Sequence, residues 1–406
     1  MSETLSQQVK LPCGAVLPNR IAKAGTSEQL AARDGTPTDA LRRLYAVWAR
    51  SGAGLLITGN VMVDRRSLVE PRNVILDDDR ALGEFRAWTD TVHATGARIW
   101  MQVNHPGRVG TVPANRRPVA PSATREPVPG FNLRKPRELS GTDIRQLIAR
   151  YARTAELAVA AGFDGVQIHA AHGFLLSQFL SPLANTRTDH YGADAAGRRR
   201  LLLEIVAATR AAAGPETPVS VKLNSADFQR GGLSEAESLD VARALADEGI
   251  DLLEISGGTY AEPAMEGVHH PGRRADGEAY FARYAEKVRA GAAIPLMLTG
   301  GLRTRAAMER LVADGIDVVG LARPMAFVPD YPARLLAGEP EPLLPPGPKP
   351  TGYRPIDGYV QLAVHNHQFH RIAAGRAPQV RAGYGTALRA IATLAKAAAS
   401  QIVVPR

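Results

Sequence analysis

The sequence predicts a parallel α/β fold, a (β/α)8 TIM barrel followed by a C-terminal helical extension. Three observations carry this. Short apolar runs alternate with helix-like segments eight times, and no strand-rich block interrupts them. The runs lack polar alternation, as strands of a parallel sheet covered by helices require. Nothing of the form Gly-x-Gly-x-x-Gly follows the first strand, where a doubly wound sheet usually carries its phosphate loop.

The elements follow in order. Ile21–Ala24 is the first strand, and Asp39–Ser51 is a helix with Leu41, Leu44, Tyr45 and Trp48 on one face. Leu55–Val63 is the second strand, Asp79–Ala94 a helix and Arg98–Asn104 the third strand. After a polar, proline-rich loop, Ser140 has the character of an N-cap for a helix to Ala161. Gly165–His169, Val219–Asn224, Leu252–Ser256, Leu296–Thr299 and Val318–Leu321 complete the eight strands. The intervening helices are Arg198–Ala213, Ser234–Asp247, Glu278–Ala290 and Thr304–Ala313, with a last one near Pro329–Ala337.

This assigns residues 1–337 to the barrel. Seven prolines between Pro340 and Pro355 mark 338–357 as an extended linker. Residues 358–406 form a tail with Ala-rich helices over Gly358–Ala374 and Thr386–Ser400, expected to serve packing or subunit contact. His365, His367 and His370 on the first of these read as polar decoration, because no carboxylate accompanies them as a further metal ligand.

Composition narrows the function. With 45% hydrophobic and 22% charged residues, the 406-residue chain has the make-up of a soluble globular protein. A single cysteine, Cys13, excludes an intrachain disulfide, a Cys-based zinc site and a cysteine-ligated iron–sulfur cluster. No run approaches ~18 apolar residues, so no membrane span is expected. The polar start, Met1 to Lys10, has no targeting character, which predicts a cytoplasmic protein. The net charge of +9 comes from scattered arginines without interleaved aromatics. That argues against nucleic acid as a partner; Arg-for-Lys bias in an Ala/Arg/Gly-rich sequence explains most of the charge, and a phosphate-bearing cofactor is the functional alternative.

Reacting groups of a barrel enzyme sit at the C-terminal ends of its strands. Those ends are polar here: Ala24-Gly25-Thr26-Ser27, Thr58-Gly59-Asn60, Met101-Gln102-Val103-Asn104-His105, His169-Ala170-Ala171-His172, Lys222-Leu223-Asn224, Ser256-Gly257-Gly258-Thr259-Tyr260, Thr299-Gly300-Gly301 and Gly320-Leu321-Ala322-Arg323. Gly300-Gly301, the helix beginning near Thr304, and Arg323 are expected to cradle a phosphate. His169 and His172, three residues apart, suit two donors that hold an oxygen while charge builds on it. Used as metal ligands they would need a third partner, and the first strand has no His-x-His.

Several stretches resemble the Old Yellow Enzyme family. They are Leu17-Pro-Asn-Arg-Ile21, Met101-Gln-Val-Asn-His-Pro-Gly-Arg108, and the run from His169 to Pro182 continuing through Asn185, Arg187, Asp189 and Tyr191-Gly192. Thr299-Gly-Gly-Leu302 and Gly320-Leu-Ala-Arg323 complete the resemblance, which covers residues 9 to 337. It implies an FMN-dependent barrel that takes hydride from NAD(P)H and passes it to the β-carbon of an activated alkene, an α,β-unsaturated carbonyl. It also implies roles. Gly300, Gly301, Ala322 and Arg323 would hold the FMN phosphate, and Gln102 the pyrimidine side. Lys222, in place of the family's usual arginine, would stand near flavin N1. Ser27 would face O4, and Ala24, Gly25, Thr26 and Asn60 would line the ring. His169 and His172 would hold the substrate carbonyl.

There are departures. Phe174 replaces the tyrosine that in many relatives protonates the substrate α-carbon, and Gly25-Thr26 replace a proline and a large apolar residue. Tyr260, just past the sixth strand end, is the candidate replacement acid. The expectation is therefore an ene-reductase, assembled as a homo-oligomer and acting on a small molecule. The alternatives are a flavin dehydrogenase or redox-neutral isomerase, a metal-dependent barrel hydrolase, and a non-catalytic flavin binder.

Overall fold

The protein is described here from a computed structural model. It describes residues 4–110, 115, 117–125, 134–266, 277–342, 344, 348–379 and 383–400. Eight parallel strands close on themselves: Ile21–Lys23, Leu55–Ile57, Arg98–Asn104, Gly165–Ala170, Val219–Asn224, Leu252–Ser256, Leu296–Thr299 and Val318–Leu321. The eighth pairs with the first, Leu321 opposite Lys23, which leaves no barrel edge. A hairpin of Val9–Lys10 and Val16–Leu17 plugs the bottom. Its Val9, Leu11 and Leu17 pack with Leu252, Met297 and Val318 inside the barrel.

Helix starts follow local chemistry. Ser140 and Asp143 form a reciprocal capping box before Gly141–Ala160, and Ser234 and Glu237 do so before Glu235–Asp247. Thr38 caps Asp39–Ala49, whose Leu41, Leu44, Tyr45 and Trp48 are buried as their spacing requires. The helices Leu82–His93 and Ala195–Ala213 follow the second and fourth strands. Among the described residues no helix is long and apolar enough to cross a membrane.

Helix starts shift by three residues at Leu82 and Ala195, and four further departures from expectation are larger or bear on the site. The apolar run Leu55–Val63 is two pieces, because Glu28 takes the Gly59 amide at 2.8 Å and the chain resumes pairing only at Val61–Met62. The helix expected from Glu278 is Ala282–Gly291; the Glu278 carboxylate instead accepts from the Arg303 and Thr304 amides. Beyond the eighth strand lie two short helices, Arg323–Phe327 and Tyr331–Ala337, rather than one.

The tail is the fourth. Its first helix starts at Arg354, inside the expected linker, with Pro355 tolerated in the first turn. It runs to Ala373 and packs on Asp39–Ala49 and Arg323–Phe327, and the second tail helix, Tyr384–Ser400, packs against it. His365 and His370 are not surface decoration. His365 is buried edge-on to Phe327, and His370 meets the Glu28 carbonyl at 3.2 Å.

Candidate active site

The strand ends enclose a cavity of about 870 Å³, within the range of small-molecule sites. Gly25, Thr26, Ser27, Asn60, Gln102, His169, His172, Lys222, Tyr260, Gly300, Gly301, Ala322 and Arg323 all line it. Of the thirteen-plus-one site residues expected from sequence, Ala24 alone is off the wall. Its amide donates to Leu321 and its side chain packs into the barrel interior.

The floor is set by a buried polar chain. Lys222 lies 3.0 Å from Glu254, a carboxylate with no solvent exposure. Thr299 donates to one Glu254 oxygen at 2.7 Å and Gln167 to the other at 2.9 Å. Gln167 in turn accepts from Gln102 at 2.7 Å, so the Gln102 amide is fixed from below. Each member is held by the next, as a buried network must be to avoid the cost of unpaired charge. Gly25 is bare for this reason: a Cβ there would meet the Gln102 amide at 2.5 Å.

On the first-strand side, the Ser27 hydroxyl donates to Glu70 at 2.7 Å and Gln29 donates to the same oxygen at 2.6 Å. Burial pushes the Glu70 carboxyl up, against those hydrogen bonds. The Thr26 hydroxyl is buried and has no protein partner.

His169 and His172 stand edge-on, ring centres 5.0 Å apart. Burial, with the Lys222 charge adding to it, holds both well below the usual histidine range, so both are neutral. His169 Nδ1 accepts from the Ala171 amide at 3.2 Å, which assigns its proton to Nε2 as an outgoing donor. His172 Nε2 pairs with Ser256 at 2.8 Å, on a backbone of φ +62° that few non-glycine residues adopt. Phe174 stands edge-on to His169 at 4.8 Å, and Tyr260 edge-on to Phe174 at 5.7 Å.

The anion end differs in detail from expectation. The helix Arg305–Ala313 does not offer its positive end to the cavity, because Glu278 and Glu341 accept its first amides and those just before it. Gly300 and Gly301 have φ of +124° and +76°. A Cβ at Gly301 would strike the Tyr280 ring at 2.3 Å. Arg323 lies over that ring and donates to Tyr280 Oη at 2.9 Å and to the Glu266 carbonyl at 3.3 Å.

Sequence reasoning passed over Glu70, Glu254, Glu266 and the tail. Glu254 was legible as the lone carboxylate of an apolar strand, Leu-Leu-Glu-Ile-Ser. Glu266 lines the cavity, and burial, opposed by Arg323, moves its carboxyl up to about 7. Nothing in an Ala-rich tail pointed to Gln361, His365 or Asn366 on the cavity wall.

A closed parallel barrel with this polar mouth defines a flavin oxidoreductase frame. The family model of the NADH:flavin oxidoreductase / NADH oxidase family matches residues 12–341, and the chain belongs to that family. The NADH-dependent flavin oxidoreductase iccE of Talaromyces variabilis is 36% identical over 352 residues, covering 81% of this chain and 85% of the relative. The iliE protein of Neonectria sp. is 35% identical over 354 residues and covers 80% of this chain, but the chain spans only 46% of that longer relative. The Old Yellow Enzyme homologue of Zymomonas mobilis superposes with a TM-score of 0.71 at 26% identity, over 86% of this chain and 98% of the other. The Old Yellow Enzyme resemblance is therefore correct, and with it FMN as cofactor and a nicotinamide nucleotide as hydride donor. The barrel hydrolase alternative falls with this assignment.

The residues present fit FMN. The cavity is large enough, an unpartnered Thr26 hydroxyl lies on its wall, and a buried cation, Lys222, stands beneath it.

Proposed function

We propose that the protein is an ene-reductase, adding hydride to the β-carbon and a proton to the α-carbon of an α,β-unsaturated carbonyl. One observation carries this reading: two neutral imidazoles, His169 and His172, share a cavity wall with Lys222, Gln102 and Ser27. Bound FMN supplies the two-electron relay between the nicotinamide donor and the alkene.

The chain's own residues do the rest. Gly25, Thr26, Ser27, Asn60 and Gln102 form the surface on which the flavin ring lies, with Ala24 supporting it from behind. Gly300, Gly301, Ala322 and Arg323 hold the phosphate. Lys222, oriented by Glu254, balances negative charge on the reduced cofactor. His169 offers Nε2–H to the substrate carbonyl, and His172, its Nε2 accepting from Ser256, offers Nδ1–H to the same oxygen. Two donors fixed before the reaction stabilise the oxyanion character that develops there. Tyr260, replacing the acid lost at Phe174, holds the proton for the α-carbon.

The test is a pair of anaerobic half-reactions. The purified protein should be yellow and release FMN on denaturation, NAD(P)H should bleach it, and a cyclic enone should restore the colour while becoming the saturated ketone. A flavin that NAD(P)H reduces but no enone reoxidises would overturn the ene-reductase reading and leave the oxidoreductase class intact.

A further inference from the structure

The family match ends at residue 341, yet the cavity does not. The helix Arg354–Ala373 crosses the barrel mouth from the loop after the sixth strand to the helix after the first, and it is held at both ends. Arg354 pairs with Glu262 at 2.5 Å, and Gly358 packs so closely on Pro263 that a Cβ would meet it at 2.8 Å. Phe369 stands edge-on to Trp48 at 5.1 Å, and Arg43 donates to the Ala373 carbonyl at 2.8 Å. Leu362, Asn366 and Phe369, which helical spacing places on one face, all line the cavity.

The contacts on either side of Asn366 fix which part of the cavity it meets. His365, beside it, stands edge-on to Phe327 with ring centres 6.0 Å apart and feels the Arg323 charge. Phe327 and Arg323 are the two ends of the short helix after the eighth strand. His370, one turn further along, meets the Glu28 carbonyl at 3.2 Å, in the loop that follows the first strand. Phe369 joins the two regions, since the Trp48 indole it touches donates to the Met325 carbonyl at 3.3 Å. Asn366 therefore stands at the seam between the first and eighth strands, which are neighbours in the barrel. It is only 3% exposed, and neither its Oδ1 nor its Nδ2 has a hydrogen-bond partner among the described residues. Native interiors rarely leave both ends of an amide unpaired, and on a cavity wall the partner is one that enters the cavity.

We propose that the tail helix is a wall of the flavin site and that Asn366 pairs with the ribityl hydroxyls of FMN. This rests on the cofactor placement proposed above, with the ring against residues 25–27 after the first strand and the phosphate at Arg323 after the eighth. The ribityl chain is what connects ring and phosphate, so it crosses the seam at which Asn366 stands. The chemistry of the amide agrees with that position. A phosphate only accepts and would leave Asn366 Oδ1 unpaired, and the methyl-bearing edge of the flavin offers nothing polar. A hydroxyl both donates and accepts, so neighbouring hydroxyls of the chain satisfy both amide atoms. A residue beyond the matched family region thus adds to cofactor retention.

The experiment compares FMN with an analogue whose ribityl hydroxyls are replaced by hydrogen, ring and phosphate being kept. Dilution of the FMN-loaded protein gives the FMN Kd, and displacement of FMN gives that of the analogue. Asn366→Leu roughly keeps the volume and removes both polar atoms. It should raise the FMN Kd roughly tenfold and leave the analogue Kd as in wild type. Asn366→Ala, which adds no bulk, makes the same comparison if the leucine variant does not fold. An unchanged FMN Kd, or an equal rise for FMN and analogue, would overturn the contact with the ribityl chain. Arg323→Ala is the contrast, and should weaken both ligands alike because both carry the phosphate. Unchanged affinities in that variant would take down the placement on which the proposal rests, and the proposal with it.

Discussion

The Ser27 hydroxyl donates to the Glu70 carboxylate at 2.7 Å. A hydroxyl has one proton to give, so while Glu70 is ionised Ser27 presents a lone pair rather than a donor to the cavity. Burial pushes this carboxyl up, with the Glu28 charge adding to it, and its own charge raises Tyr260, Glu266 and Tyr359 in turn.

We predict that Glu70→Gln reverses this hydrogen bond. The new amide donates to Ser27 Oγ and turns the hydroxyl proton toward the cavity. The two-electron potential of bound FMN should rise by roughly 10–30 mV, the equivalent of one added hydrogen bond. Spectroelectrochemistry of the single variant and of Glu70→Gln with Ser27→Ala checks it, since the double variant should lose the shift. Equal potentials in wild type and Glu70→Gln would disprove the coupling.

Arg323→Ala should weaken FMN retention more than it slows the loaded enzyme. A charge-assisted contact of ~1.5–3 kcal/mol corresponds to roughly a 10- to 150-fold rise in Kd. Fluorescence of released FMN against protein concentration measures it, and an unchanged Kd rejects the phosphate role.

A simple phenol should bind the oxidised protein and give a long-wavelength charge-transfer band through His169 and His172. Both imidazoles are held neutral by burial, so the band should show no inflection between pH 6 and 7, where an ordinary histidine titrates. Replacing both histidines should abolish it. A band that survives in the double variant removes the pair from oxyanion binding.

Tyr260 touches Phe174 edge-on at 5.7 Å, where a replacement acid has to be. Tyr260→Phe should slow flavin reoxidation by an enone by ~10²–10⁴-fold, the scale of a lost general acid, and leave reduction by NAD(P)H nearly unchanged. Phe174→Tyr should speed the enone step. If Tyr260→Phe slows neither half-reaction, Glu266→Gln becomes the decisive variant, because burial pushes that carboxyl on the same wall up to about 7.

Acid should loosen the fold. His365 is buried and lowered to about 3 by burial, with Arg323 adding to it. Its folded pKa lies below its unfolded value near 6.5, so the unfolded chain binds more protons and stability falls as pH drops through that value. Between pH 7 and 5 this one group accounts for about 2 kcal/mol. His365→Phe should lose correspondingly less stability than wild type over that interval in urea denaturation. Parallel pH slopes in the two proteins would contradict the buried neutral state.

The barrel was legible because its signals are local. Apolar runs such as Val219–Asn224 and caps such as Ser140 and Ser234 are written in consecutive residues, and the structure has them at those positions. What failed depends on residues far along the chain. The break at Gly59 comes from Glu28, and the blocked helix at Arg305 from Glu278 and Glu341. Ala24 was expected on the cavity wall from the family resemblance, yet one residue along a strand turns a side chain to the opposite face, and it packs inside the barrel. The tail was least legible. Its composition describes helix formation, whereas its place comes from where Phe369 lands on Trp48 and Asn366 on the cavity wall.

The helix across the mouth also sets an order of events. A chain made from its N-terminus completes the eighth strand, and can close the barrel, before residues 354–373 have been synthesised. During that interval the upper face is open, and a flat aromatic cofactor can settle onto it without a detour. Once the helix docks from Pro263 to Arg43, the same molecule can leave only through the remaining aperture or by prising the helix away. Early loading then meets an open face, and loss depends in part on how firmly one helix stays down.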